Sequence, residues 1–176
     1  KAARFVALAD AYGLPLISLI DVPGFAIGSA AEATGLARRS GRLLFEMAHV
    51  TVPRISLSLR KGYGSGYIAM GGGRSFDADY AFAWPTAEIC AMSVEGAIDV
   101  AFRRDYTAAP DPMARRQQLI DETRARIGAR HAAEGFGIDD VIDPRETRDI
   151  LIRALGSLPP RRPFKGPPKR RSISPI

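Results

Sequence analysis

The 176-residue chain is 46% hydrophobic and 25% charged, the balance of a soluble globular protein, and it is long enough for one ordinary domain with a sizeable core. No apolar run approaches the ~20 residues that span a bilayer and no signal-peptide pattern opens the chain, while the single cysteine, Cys90, excludes an internal disulfide and points to a reducing, cytoplasmic compartment. The formal charge of +6 comes from residues 159–176, which hold six of the 25 Lys+Arg and no acid, so the remainder is balanced against the 19 Asp+Glu and nothing in it reads as a nucleic-acid surface. We expect a domain over residues 1–158 followed by a basic, Pro-rich tail over 159–176.

In chain order, residues 1–12 read as a helix with Phe5, Leu8, Ala9 and Tyr12 on its apolar face and Gly13 as its stop. The almost wholly apolar "LPLISLID" (14–21) then predicts a strand buried on both faces, leaving through the Pro-Gly turn of "DVPGF" (21–25). Ser29 and Glu32 form a capping-box pattern that predicts a helix to about residue 49, with Leu36, Leu43, Leu44 and Met47 on its apolar face. "RISLSLR" (54–60) is a second strand, "YIAM" (67–70) the start of a helix, and "YAFAW" (80–84) a third strand closed by Pro85. A helix is expected over 93–106, with Arg103 and Arg104 near its C-terminus. Asp111-Pro112 opens a long helix to about 134 and Asp143-Pro144 a last one to about 155, each in the N-cap then N1-proline manner, with the extended "GIDDVID" between them. Strands alternating with helices predict an α/β fold with parallel strands.

The densest feature is "RKGYGSGYIAMGGG" (60–73), with six glycines in fourteen positions after a strand. Glycine loses more conformational freedom on folding than any other residue, so the cluster needs a reason. A P-loop is excluded, because no Gly-Lys-Ser/Thr follows. Gly64, Gly66 and Ala69 satisfy G-x-G-x-x-A, but the next strand ends in Trp84-Pro85 and not in the acidic residue that a dinucleotide ribose requires. Two readings stay open: a close-packed turn, or a strand-to-helix turn whose unpartnered amides make an oxyanion hole, with Ser65 and Gly66 at the donor positions.

Together with "KAARF" (1–5), "DVPGF" with Gly28 and Glu32, "AWPTAEI" (83–89) and "EGAI" (95–98), the stretch "RKGYGSGY" (60–67) resembles the C-terminal half of the carboxyltransferase subunit of biotin-dependent acyl-CoA carboxylases. Propionyl-, acetyl- and methylcrotonyl-CoA carboxylases belong there, with related decarboxylases and transcarboxylases. "IDDVIDP" (138–144) and the Pro/Lys-rich end are also similar, so the resemblance covers nearly the whole chain. It implies a crotonase-like fold of ββα units wound in a superhelix, entered after its usual first strand. It also implies a half-site: in the family this half mainly holds biotin, and the active site forms against an acyl-CoA-holding N-terminal half of another subunit. Since the chain opens on Lys1 and not Met, a fragment of a longer subunit is one expectation.

The implied chemistry is carboxyl transfer from carboxybiotin to the α-carbon of an acyl-CoA. Both the ureido oxygen left on biotin and the acyl-CoA enolate are anions that need preorganised donors, with no metal in this domain. By resemblance the backbone N–H groups of Ser65 and Gly66 face the ureido oxygen, and Gly24, Phe25, Gly64, Tyr67 and Ile68 line the biotin and substrate pocket. Many propionyl-type members carry an acid at the place of Ile68, so the acyl group is left open. The implied partners are the N-terminal half, biotin carboxylase and the biotin carrier, in a homo- or hetero-oligomer without nucleic acid or membrane. A decarboxylase or transcarboxylase subunit and a silent interaction domain are the alternatives. Outside the resemblance, Arg60 and Lys61 read equally as anion-attracting or solvated, Glu88 has no visible partner, Cys90 reads as buried packing, and His49 and His131 lack metal-ligand neighbours.

Overall fold

The computed structural model describes residues 1–161, and the basic tail from residue 162 onward lies outside the described residues. In chain order the elements are α1 (Ala2–Ala11), β1 (Leu16–Val22), α2 (Ser29–Ala33), α3 (Leu36–His49), β2 (Arg54–Tyr63) and α4 (Gly64–Ala69). They continue with β3 (Tyr80–Ala83), β4 (Glu88–Cys90), α5 (Val94–Ala101), α6 (Arg103–Ala108), α7 (Pro112–Arg124), α8 (Ala129–Glu134), β5 (Asp140–Val141) and α9 (Thr147–Ser157). The strands form one sheet of order β1-β2-β3-β5, with β4 pairing β2 off this path. All four pairings are parallel, as the alternation of strands and helices predicts.

Strand β2 is the spine. Its first half pairs β3 (Ile55 opposite Tyr80 through Ser58 opposite Ala83), and its second half pairs β4 (Lys61 opposite Glu88, Tyr63 opposite Cys90). On one face of the sheet, Ile55, Leu57, Phe82 and Ile142 pack beneath Ile150, Leu151 and Leu155 of α9. Ile55 and Leu57 are 1% and 0% exposed, a burial worth about 1.5–3 kcal/mol for each side chain. Beside Leu16 of β1, Val6 and Ala9 of α1 pack against Met47 of α3. A separate cluster joins Val94 and Ile98 of α5 to Leu119 and Ile120 of α7.

Several elements differ from the sequence expectation, each for a local reason. Helix α1 buries Ala3, Val6 and Ala9, while Phe5, Leu8 and Tyr12 are exposed. Among the described residues strand β1 lies at the edge of the sheet and is not covered on both faces: Ile17 and Leu19 are 41% and 53% exposed although they neighbour the buried Ile55 and Leu57. The helix expected over 29–49 is two helices, because Gly35 adopts φ +65 between them, and Gly28, not Ser29, is the N-cap residue of the first. The helix expected over 93–106 breaks at Phe102, which puts Arg103 and Arg104 at the start of α6 and not at a C-terminus. The long helix from 111 ends at Arg124, and α8 follows separately. The caps at Asp111 and Asp143 form as read: Asp111 accepts from the amides of Met113 and Ala114 at 3.1 and 3.0 Å, and Asp143 from that of Arg145 at 2.8 Å.

Candidate active site beside a glycine-rich turn

Two strand ends build the site. The β1–β2 register shifts between Ile20 and Val22, so that Val22 pairs Gly62; such an irregularity re-aims a strand end. β1 then leaves through Pro23 and Gly24, whose φ is +112. β2 runs three residues further than the sequence predicts, to Tyr63, and passes directly into α4, which begins at Gly64 and not at Tyr67. A Cβ on Gly66 would lie 3.0 Å from Val22 Cγ2 and 3.2 Å from the Gly24 backbone, so glycine here lets the two turns close on each other. Gly64, at φ +57, makes a similar approach: its Cβ would lie 2.9 Å from the Ala91 carbonyl oxygen.

In the first turn of α4 the amides of Gly64, Ser65 and Gly66 precede the intrahelical ladder, which begins beyond them and includes the bond from the Met70 amide to the Gly66 carbonyl at 3.2 Å. Beside that turn lies a cleft of about 390 Å³ whose walls include Gly24, Phe25, Leu36, Tyr63, Gly64 and Ser65. Four of the seven residues named from the sequence, Gly24, Phe25, Gly64 and Ser65, therefore meet at one cleft, and Gly66 abuts it through Gly24. Tyr67 and Ile68 are not in its wall. The ring of Tyr67 fills a socket made by missing side chains: a Cβ on Gly62 or Gly72 would stand 2.8 or 2.2 Å from ring carbons, and one on Gly73 2.8 Å from the hydroxyl. Burial pushes the Tyr67 phenol above its ordinary value. Ile68 is 45% exposed.

The cleft also has a brace that the sequence reading missed. Tyr63, 4% exposed and the N-cap residue of α4, donates its hydroxyl to Glu88 Oε2. Arg124 of α7 binds Glu95 at 2.5 Å and stands 3.9 Å from Glu88. Burial, and then the bond to the Glu88 carboxylate, push the Tyr63 phenol well above the ordinary tyrosine value. Only the β2–β4 pairing brings residues 63 and 88 together, and β4, at three residues, is too short to show periodicity.

Other residues weighed in the sequence have plain structural roles. Arg60 forks onto Asp21, with the ion pair at 2.9 Å, and the Lys61 amide donates to the same carboxylate at 3.1 Å. The bond from Arg60, and then that amide, hold Asp21 below the usual carboxylate range. Trp84 anchors α9 by donating to Thr147 Oγ1 at 2.9 Å, and His49 Nδ1 lies 2.7 Å from the Phe45 carbonyl. Cys90 is half-buried on β4 and not fully buried.

Comparison with known proteins identifies the family and the fold. The chain is 43% identical over 156 residues to the methylmalonyl-CoA carboxyltransferase 12S subunit of Propionibacterium freudenreichii subsp. shermanii, covering 88% of this chain and 30% of that protein. It is 37% identical over 177 residues to the methylmalonyl-CoA decarboxylase subunit alpha of Propionigenium modestum, covering 100% of this chain and 34% of that one. A crystal structure of the transcarboxylase 12S hexamer, with methylmalonyl-coenzyme A and methylmalonic acid bound, superposes with a TM-score of 0.92 at 40% identity, over 100% of this chain and 34% of that one. The β subunit of geranyl-CoA carboxylase from P. aeruginosa superposes at 0.79 and 25% identity. The chain thus spans about a third of the length of these relatives, and its parallel α/β sheet is the crotonase-like fold of carboxyltransferase subunits. The pattern of the carboxyl transferase domain matches residues 1–173, and the chain belongs to that family.

Proposed function

We propose that this chain is the biotin-side half of a biotin-dependent acyl-CoA carboxyltransferase, in which the amides of Ser65 and Gly66 stabilise a negative oxygen. The observation that carries the reading is the first turn of α4 bordering the cleft, with main-chain donors and small residues at its wall. The donor set suits a ureido group: a neutral, hydrogen-bonding ring beside Phe25, Leu36 and Tyr63, with amides for the oxygen. Carboxybiotin, delivered on a carrier domain, would supply the carboxyl group and leave charge on that oxygen. The chain's own part is electrostatic. Two preorganised donors beside the apolar side chains of Phe25 and Leu36 act where charge develops, and removing one such donor costs about 2.7–4 kcal/mol.

The reading calls for an acyl-CoA enolate generated against an N-terminal half, with biotin carboxylase and carrier components as partners in an oligomer. It calls for no metal, nucleic acid or membrane, and among the described residues no helix is long and apolar enough to cross a bilayer. The single cysteine supports a cytoplasmic setting. The likeness to a decarboxylase subunit supports a second reading in which the same cleft runs carboxyl transfer in reverse.

The test joins the chain to an acyl-CoA-binding half and follows carboxyl transfer between biotin and acyl-CoA. Ser65→Ala keeps the amide and changes turnover little. Ser65→Pro removes that N–H in a first helical turn, where proline is tolerated, and lowers kcat by about 10²–10³. The absence of any transfer with the joined protein, or equal effects of the two variants, sinks the reading.

A further inference from the structure

We infer that the surface between α1 and α3 is a phosphate-binding site formed by Lys1, Arg4, Arg39 and Arg42. It is separate from the cleft and does not rest on the carboxyltransferase reading. The spacing is the first argument. Lys1 and Arg4 are i and i+3 at the start of α1, and Arg39 and Arg42 are i and i+3 in the first half of α3, so each pair shares one face of its helix. Val6 and Ala9 of α1 pack on Met47 of α3, and Asp10 near the end of α1 accepts from the Thr51 amide at 2.8 Å just past the end of α3. The helices therefore run side by side, and their N-terminal halves bring the two basic pairs to one depression. Its volume is about 290 Å³, and besides Ala3 these four residues alone line it.

Pairing is the second argument. Elsewhere in the chain Arg60, Arg74, Arg115, Arg116, Arg124, Arg145 and Arg161 each meet a carboxylate, while Arg38, Arg103, Arg104, Arg126, Arg130, Arg148 and Arg153 are in no ion pair among the described residues, so it is the convergence of four such cations on one depression that sets this place apart. None of the four cations of the depression is in an ion pair among the described residues. Arg42 Nε is shut off from solvent and has no hydrogen-bond partner there, an arrangement that costs free energy until an acceptor arrives. No acidic residue sits in the first turn of either helix. Since Lys+Arg and Asp+Glu balance over residues 1–158, this is a local concentration of charge and not a share of a basic surface.

The chemistry of the donors selects the ligand class. Guanidinium forks match the oxygens of phosphate in two parallel bonds, and a lysine adds a point charge. Four cations around one depression suit a group with more than one phosphate, either a free diphosphate or the phosphates of a nucleotide.

The test is calorimetric titration of the whole chain at low ionic strength with inorganic phosphate, pyrophosphate and adenosine 3′,5′-bisphosphate. We expect saturable one-to-one binding of pyrophosphate, weakened about tenfold or more, the equivalent of 1.4 kcal/mol or more, by Arg39→Ala/Arg42→Ala. Arg39→Lys/Arg42→Lys recovers only part of it, because charge returns without the fork. Arg4→Ala/Arg39→Ala removes two exposed side chains and serves where loss of Arg42 disturbs packing. The charge-matched pair Arg104→Ala/Arg148→Ala, on α6 and α9, leaves affinity unchanged. Tighter binding of the bisphosphate supports a nucleotide-borne group, and equal binding a free diphosphate. No saturable binding, or the same loss in the charge-matched pair, overturns the proposal.

Discussion

Replacing Gly72 with alanine tests what the glycine cluster is for. Gly72 does not have positive φ, so alanine there is a purely steric perturbation. The new Cβ would stand 2.2, 2.3 and 2.6 Å from three ring carbons of Tyr67, against the ordinary 3.4–4 Å. Gly62 approaches the ring from one side and Gly73 meets its hydroxyl, so the ring cannot shift within the socket to relieve the contact. Either Tyr67 leaves its socket or the 71–73 turn moves. Overpacking costs about 1–3 kcal/mol and losing a buried ring about 3–5. Because Tyr67 is only half-buried, we expect about 2–4 kcal/mol, or a fall in Tm of about 5–15 °C for a domain of this size. Urea and thermal unfolding, followed by far-UV dichroism and by the fluorescence of Trp84, the single tryptophan, measure it. The decisive experiment is the double-mutant cycle. With Tyr67→Ala already present the socket is empty, and Gly72→Ala becomes nearly neutral, a coupling of about 2 kcal/mol. Additive single effects would refute the socket.

Three further outcomes follow from the same contacts. Gly66→Ala brings a Cβ to 3.2 Å from the Gly24 backbone, which cannot rotate away; it costs about 1–3 kcal/mol, partly offset by better helix propensity, and is read as a lower urea midpoint. Asp111→Ala removes the cap on the Met113 and Ala114 amides and lowers unfolding free energy by about 1 kcal/mol. Asp143 is held down to about 2, first by the Arg145 side chain and then by its amide. Its folded value lies below its unfolded one, so its contribution is complete above about pH 4 and fades as pH falls toward 2; Asp143→Asn flattens that part of the acid limb of the Tm profile.

What could be read from sequence was local. The helix starts at Asp111 and Asp143 follow from an acidic cap next to proline, which acts within three residues. Strands β2 and β3 follow from apolar runs closed by glycine and proline. The α1 face was misread because the helix carries two apolar stripes, Ala3-Val6-Ala9 and Phe5-Leu8-Tyr12, and periodicity alone does not choose between them. The buried side, packed on Met47 of α3 beside Leu16, takes the smaller residues, which let the helix come close. Strand β1 was read as covered on both faces because its composition is that of a central strand, and composition does not state a strand's place in the sheet. At the site, the glycine turn and Phe25 were legible from motif. Tyr67 enters the pocket set only through the family resemblance, and the place of its ring depends on Gly62, Gly72 and Gly73. Glu88 was given no partner because its partner lies on another strand.

These contacts bear on how a site made of main-chain donors is kept accurate. An amide cannot be lost by changing a side chain, but it is aimed only as well as the turn that carries it. Helix α4 has six residues and no side-chain cap of its own, too short for internal cooperativity to fix it. Its rigidity has to come from outside. Gly66 seats it on the Gly24 turn, Gly64 seats it on the Ala91 carbonyl, Tyr63 ties its N-cap position to Glu88, and Tyr67 pins its middle in the socket. The glycines of 60–73 therefore face protein as much as the cleft: they remove side chains so that backbone and one aromatic ring can pack closely. The part of the cluster turned to the cleft is narrower, the wall at Gly64 and Ser65. On this account a change that loosens the Tyr67 socket also weakens carboxyl transfer, although Tyr67 is not in the cleft wall.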